Sequence, residues 1–160
     1  MTLREFYLQR RQAEFPVFLR VLRALPADQV GYKPHEQSPS AQQIVWTLTK
    51  ELKACLDAAT NYSAEWNTSP PAPLNEMLSM FERWSIDLAD RVATMDDALW
   101  NRTAQFYYNG KVVNQQPVGQ FLWFIHFDAI HHRGQLSAYL RPMGAKVPSI
   151  YGPSADERGM

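Results

Sequence analysis

The stretch FIHFDAIHHRGQLSAYLRPMG, Phe124 to Gly144, decides how this chain is read. Three of its four histidines and an aspartate fall within the seven residues His126 to His132, and the remaining histidine, His35, lies far away. Pro117 suits the first turn of a helix that carries the stretch, and Arg141-Pro142 with Gly144 ends it near Leu140. At about 100° per residue, Phe121, Ile125, Asp128, His132, Gln135 and Tyr139 share one stripe roughly 80° wide. His131 borders it, and His126, Arg133 and Ser137 point the other way.

A core-facing stripe is normally apolar throughout, whereas this one has a polar centre framed by aromatic and aliphatic residues. An Asp and a His four residues apart on such a face must be paired, hydrated or bound to something, because an isolated buried charge is costly. On the wheel His126 is expected to be solvent-exposed or interfacial. Trp123, Phe127, Ile130 and Gly134 form a flank of their own, so more than half of the circumference is apolar. Such a helix is deeply buried or lies at a subunit interface, and a homodimer is the expected assembly.

A further donor has to come from a neighbouring helix, since metal sites in bundles are built from facing side chains. Ser40 and Gln43 form a capping box ahead of a stripe of Ala41, Ile44, Val45, Leu48, Leu52, Cys55, Leu56 and Ala59. Glu51 sits at the edge of that stripe, one turn after Thr47. Glu51, Asp128 and His132 would make a mixed oxygen and nitrogen site with open positions, compatible with zinc, nickel, iron or manganese. The plainer reading stays open beside it: Asp128 and His132 pair on their own helix, His131 bonds a carbonyl, and Glu51 is a solvated partner of Lys50, Lys53 or an arginine.

Outward from these two helices the pattern is all-α. Thr2 and Glu5 form a capping box opening a first helix to about Leu25, which Pro16 should kink or split. The segment from Pro26 to Pro39 is turn-rich. A third helix spans about Asn75 to Met95, after a loop read in NYSAEWNTSPPAP. Asn109-Gly110, between short aromatic and β-branched runs, reads as a tight hairpin or projecting loop. The tail is expected to be extended, to pack Ile150 and Tyr151 on the body and then to fray. Four long amphipathic helices in one domain, 1–160, imply a four-helix bundle.

Composition excludes several roles. The 160 residues carry 16 basic and 16 acidic side chains, so no electrostatic footprint for nucleic acid or an anionic membrane exists. Cys55 is the single cysteine, which rules out an internal disulfide and a thiolate cage; on its apolar stripe it reads as a core residue and not a nucleophile. The N-terminal segment lacks the apolar core of a signal peptide and no run reaches membrane-spanning length, so a cytoplasmic protein without a membrane partner is expected.

The run DAIHHRGQLSAYLRPMG resembles the DinB superfamily, whose last helix carries a His-x-x-His-His-Arg-Gly-Gln-like motif followed by a Tyr-Leu-Arg segment and a glycine. SAQQIVWTLTKE is similar to the family's second-helix segment. The resemblance implies an up-down-down-up bundle, commonly dimeric, with a metal held by one histidine of the second helix and two, four residues apart, of the last. The second of that pair falls on His132, the first on Asp128, and the second-helix histidine on Thr47. Either Asp128 and Glu51 replace the missing imidazoles, giving a harder site with His131 in support or as an alternative ligand, or the metal is lost and the three residues form a buried polar network.

Relatives of this bundle include metal-dependent thiol transferases and isomerases that use low-molecular-weight thiols. The enzyme reading is a hydrolase or thiol transferase whose metal activates a water or thiol or polarises a carbonyl. Gln135 and Tyr139 would orient a small-molecule substrate, His131 would move protons, and Phe121, Phe124 and Ile125 would line the mouth. The alternative is a non-catalytic dimeric scaffold or small-molecule binder with a degenerate site.

Overall fold

A computed structural model describes residues 1–158. Helix α1, Leu3–Arg23, runs through Pro16 without a break. Its capping box forms in full: Glu5 N–H donates to Thr2 Oγ1 (3.1 Å) and Thr2 N–H to Glu5 Oε2 (2.7 Å). A 3-10 turn, Ala27–Gln29, follows. Helix α2, Ala41–Asn61, opens on the reciprocal Ser40 and Gln43 bonds and stops at Tyr62, whose φ of 56° is left-handed. Helix α3 is Leu74–Thr94. A short helix α4, Asp97–Trp100, starts where Asp96 Oδ1 accepts from Leu99 N–H. Helix α5 is Val118–Leu140.

The expected all-α four-helix bundle is corrected by a three-stranded mixed sheet and a fifth helix. Strands β2, Thr103–Tyr108, and β3, Lys111–Pro117, pair antiparallel around Asn109 and Gly110, both at positive φ as a two-residue hairpin turn requires. Strand β1, Ser63–Trp66, pairs parallel with β2, Ser63 opposite Gln105. This is the segment read as loop. Four residues are too few to show a period, and the partner lies in a distant part of the chain; the left-handed Tyr62 turns it into register, its carbonyl accepting from Gln105 N–H. Ala104 and Phe106 are the buried residues of β2, and Phe106 stacks on Phe121 at 3.9 Å, tying sheet to α5.

Around one core α5 packs against both α1 and α2, as does α3. That double contact corrects the reading of His126. The buried arc of α5 is centred on Ala129 and is far wider than one stripe, so Asp128 and His132 fall on its α2 edge and His126 and Arg133 on its α1 edge. His126 is 3% exposed and sits edge-on to Tyr7 and Trp123.

Arg133, 2% exposed, meets Glu14 of α1, also 2% exposed, and both bond the Tyr151 hydroxyl. Burial works to raise the Glu14 carboxyl; the bonds from Arg133 and Tyr151, together with the charge of Arg10, outweigh it and hold the group below its ordinary range. Stability from this carboxylate is therefore present above the ordinary carboxylate pKa and lost as pH falls through the folded value. The tail is strapped down by Asp156, which accepts from Val147 N–H and Arg141, and by Glu157, which accepts from Ser149 N–H and pairs with Arg20. Ile150 packs against the core, whereas the Tyr151 ring is largely exposed, with the Arg133 guanidinium 5.0 Å from its centroid and its hydroxyl bonded to Glu14. The expected fraying of the extreme terminus falls outside the described residues.

Two substitutions test this packing. A Cβ at Gly119 would lie 2.1 Å from Cε2 of the buried Trp100 ring. Alanine ordinarily gains about 1 kcal/mol over glycine in a helix, but overpacking costs about 1–3 kcal/mol, so Gly119→Ala should lower the urea midpoint. Arg133→Met leaves the buried Glu14 carboxylate with only Arg10 and the Tyr151 hydroxyl and should cost about 1–3 kcal/mol, most of it recovered in the Glu14→Leu/Arg133→Met double variant; denaturant titration of the three proteins measures both.

Candidate metal centre

Glu51 reaches the centre because the apolar stripe of α2 carries it inward: Leu48, Leu52 and Cys55 around it are all buried, and Glu51 itself is 3% exposed. From α5, Asp128 and His132 are one turn apart and face the same space. His132 Nε2 lies 3.6 Å from Asp128 Oδ2 and 3.9 Å from Glu51 Oε1, and one donor atom from each of the three lies within 4.8 Å of the others. The side chains of Asp128 and His132 are 40% and 20% exposed, so the cluster is closed on the Glu51 side and open to solvent at Asp128.

The electrostatics are unbalanced. Burial raises the Glu51 carboxyl, and the neighbouring Asp128 raises it further through its hydrogen bond and its charge, to about 9. No arginine or lysine is paired with it among the described residues, and its Oε2, fully buried, has no hydrogen-bond partner. Two carboxylates and an imidazole crowded together without a cation are unusual for a structural network, which normally satisfies its members.

This donor set fits a divalent ion. Bonds of about 2.1 Å to oxygen and nitrogen place the donors of a tetrahedral zinc roughly 3.4 Å apart, so the observed spacing needs only small side-chain adjustments. His132 is already oriented for the role: its Nδ1 is 2.8 Å from Gln135 Oε1. With that oxygen as acceptor the proton resides on Nδ1, leaving the Nε2 lone pair toward the carboxylates.

The other sequence-predicted residues are distributed differently. His131 is exposed, its ring 5.3 Å from that of His132 and outside the cluster. The Tyr139 hydroxyl donates to the Pro39 carbonyl at 3.2 Å and its ring packs edge-on to Tyr32, anchoring the α1–α2 connection. Thr47 is half-buried one turn before Glu51. Cys55 is buried and burial pushes its thiol up, consistent with a core residue. Phe121 and Ile125 lie inward, and Phe124 is 62% exposed. A separate cleft of ≈ 210 Å³ on another face of α2 is walled by Trp46, Trp66 and Trp84, with the Lys50 ammonium 4.4 Å above the Trp66 ring; it contains none of the three clustered residues.

Sequence reasoning missed His126. Burial and the nearby Arg11 charge push its imidazole down to about 4, so it is neutral at physiological pH, and its Nδ1 is the second fully buried side-chain atom without a partner among the described residues. A wider buried arc on the helical wheel was the available signal.

A DinB-like protein from Bacillus subtilis has a similar structure, at 16% identity over 96% of this chain and 99% of that one with a TM-score of 0.69. Another, from Bacillus cereus ATCC 10987, matches at 18% identity over 92% and 97% with a TM-score of 0.73. The mycothiol-dependent maleylpyruvate isomerase matches at 12% identity, TM-score 0.58, over 94% of this chain and 66% of that one. At such identities the likeness concerns the fold and leaves the chemistry open. The uncharacterized protein YrdA of Bacillus subtilis strain 168 is 44% identical over 43 residues, 27% of this chain and 26% of that protein's length. The DinB family model matches residues 2–159, and the chain belongs to the DinB family.

Proposed function

We propose that this protein is a metal-dependent enzyme of the hydrolase or thiol-transferase kind, with Glu51, Asp128 and His132 as the ligands of one divalent ion. The carrying observation is the convergence of two carboxylates and a histidine from α2 and α5 on one partly open point. Such an ion, when bound, lowers the pKa of a coordinated water or thiol or polarises a carbonyl. The mixed oxygen and nitrogen donor set accommodates zinc or nickel, with iron and manganese the other outcomes of metal analysis. The structural likeness to a mycothiol-dependent isomerase supports including low-molecular-weight thiols among the substrates to be screened.

The chain's own residues divide the work. Gln135 holds His132 in the tautomer that presents Nε2. Glu51, enclosed by Leu48, Leu52 and Cys55, closes the inner side to bulk solvent, while the exposed side at Asp128 admits substrate. His131, exposed next to His132, exchanges protons with solvent at the rim. Phe124 supplies an apolar surface one turn before Asp128.

The outer flank of α5 supports a homodimer. Phe127 is 62% exposed and stacks on Trp123, which meets Phe6 of α1, beside the 70% exposed Leu3. A contiguous aromatic patch of this kind marks an interaction surface. No helix among the described residues is long and apolar enough to cross a membrane.

Untagged protein should carry about one equivalent of metal, lost in both Glu51→Ala and His132→Ala with the helical circular dichroism unchanged; metal-free wild type would overturn the assignment. Thiol-transfer and ester or amide hydrolysis should depend on that metal, and equal activity without it would overturn the mechanism.

Because the folded Glu51 carboxyl is raised to about 9, the metal-free protein binds more protons than the unfolded chain. Its stability from this group falls as pH rises from the ordinary carboxylate range to about 9. Metal must displace that proton, so binding at pH 7 should release about one proton, measurable by calorimetry in buffers of different ionisation enthalpy, with affinity climbing toward pH 9. Sedimentation should give a dimer that Phe127→Asp converts to monomer.

A further inference from the structure

Behind the carboxylate cluster, on the inner side of Glu51, α1, α2, α3 and α5 leave a small polar cavity. Tyr7, Arg11, Glu51, Cys55, His126 and Ala129 are among the residues that line it, and ≈ 10 Å³ of it is open to the centre of a water molecule, about the room for one water. The two unpartnered buried atoms of the described residues, Glu51 Oε2 and His126 Nδ1, belong to side chains that both line this one cavity.

The helical geometry explains the coincidence. On α5, His126 and His132 lie about 60° to either side of Ala129. Glu51 approaches that same helix from α2, its Oε1 toward His132. Ala129, whose side chain ends at Cβ, leaves the space between the two flanking histidines open. A buried polar atom without a partner costs about 1–3 kcal/mol. A cavity of one-water size lined by both side chains offers one water as the partner of both, since water can donate to or accept from a carboxyl oxygen and an imidazole nitrogen.

The geometry points to a buried water site between His126 and Glu51, which makes His126 a positioning residue for the Glu51 carboxylate. Glu51 then works in two directions: Oε1 toward His132 and Asp128, Oε2 anchored inward through the water. The consequence for metal binding rests on the ligand assignment proposed above, whereas the water site does not. Residues that hold a metal-binding carboxylate in place commonly contribute 10- to 100-fold to metal affinity.

A high-resolution crystal structure of the metal-free protein should contain one ordered water within about 3 Å of both atoms, absent from the Ala129→Val variant, in which the added methyls take its space. A dry cavity, or a direct bond between His126 and Glu51, would overturn the site. Cobalt(II) then serves as the probe for positioning. His126→Phe should weaken its binding 10- to 100-fold and change its visible absorption as Glu51 shifts, while His126→Gln, which keeps a polar group at the cavity, should retain affinity to within a few-fold. Equal cobalt affinity and spectrum in His126→Phe and wild type would overturn the positioning role. Wild type that takes up no cobalt would instead overturn the ligand assignment, leaving the crystallographic test of the water intact.

Discussion

Everything in this fold turns on α5 burying a face so wide that it must satisfy polar groups on two neighbours at once. Toward α1 it presents Arg133 and toward α2 it presents Asp128 and His132, and each neighbour answers with a buried carboxylate. The two answers differ in kind. Glu14 receives Arg133, Arg10 and the Tyr151 hydroxyl, and its carboxyl is held below the ordinary range. Glu51 receives another carboxylate and a histidine, its carboxyl is raised, and one of its oxygens is left without a partner.

The same physical situation, an acid buried between helices, is thus closed on one side of α5 and open on the other. The Glu14 pair is self-sufficient and serves packing. The Glu51 cluster has no paired arginine or lysine among the described residues, and it is open to solvent at Asp128. A perturbed carboxyl such as that of Glu51, set beside an accessible point, is the signature of function more often than of stability, and the contrast between the two sides of α5 sharpens that inference here.

Much of this was legible in the chain. Both capping boxes are spelled out locally, and Asn109-Gly110 requires two positive φ angles that form where expected. Glu51 stood out as an acid on the edge of an apolar stripe, and α2 delivers it to Asp128 and His132. What escaped depends on partners distant in sequence. The four residues of β1 become a strand only because β2 runs beside them, and nothing local in SAEW announces it. Arg133 falls with His126 on the side turned away from the polar stripe, yet it is buried there, because its partner Glu14 lies in α1 with no spacing rule to connect them. A single stripe on the wheel leaves His126 solvent-exposed or interfacial, whereas a helix packed on two others buries a much broader arc.

The central claim is that Glu51, Asp128 and His132 act together as the ligands of one ion. Anomalous diffraction at the metal's absorption edge, from crystals of protein purified without chelator, tests it most directly. The account predicts a single strong peak about 2.0–2.2 Å from His132 Nε2 and from one oxygen of each carboxylate. A peak bound instead by His131 or His35, or none at these three residues with metal supplied in excess, would contradict it.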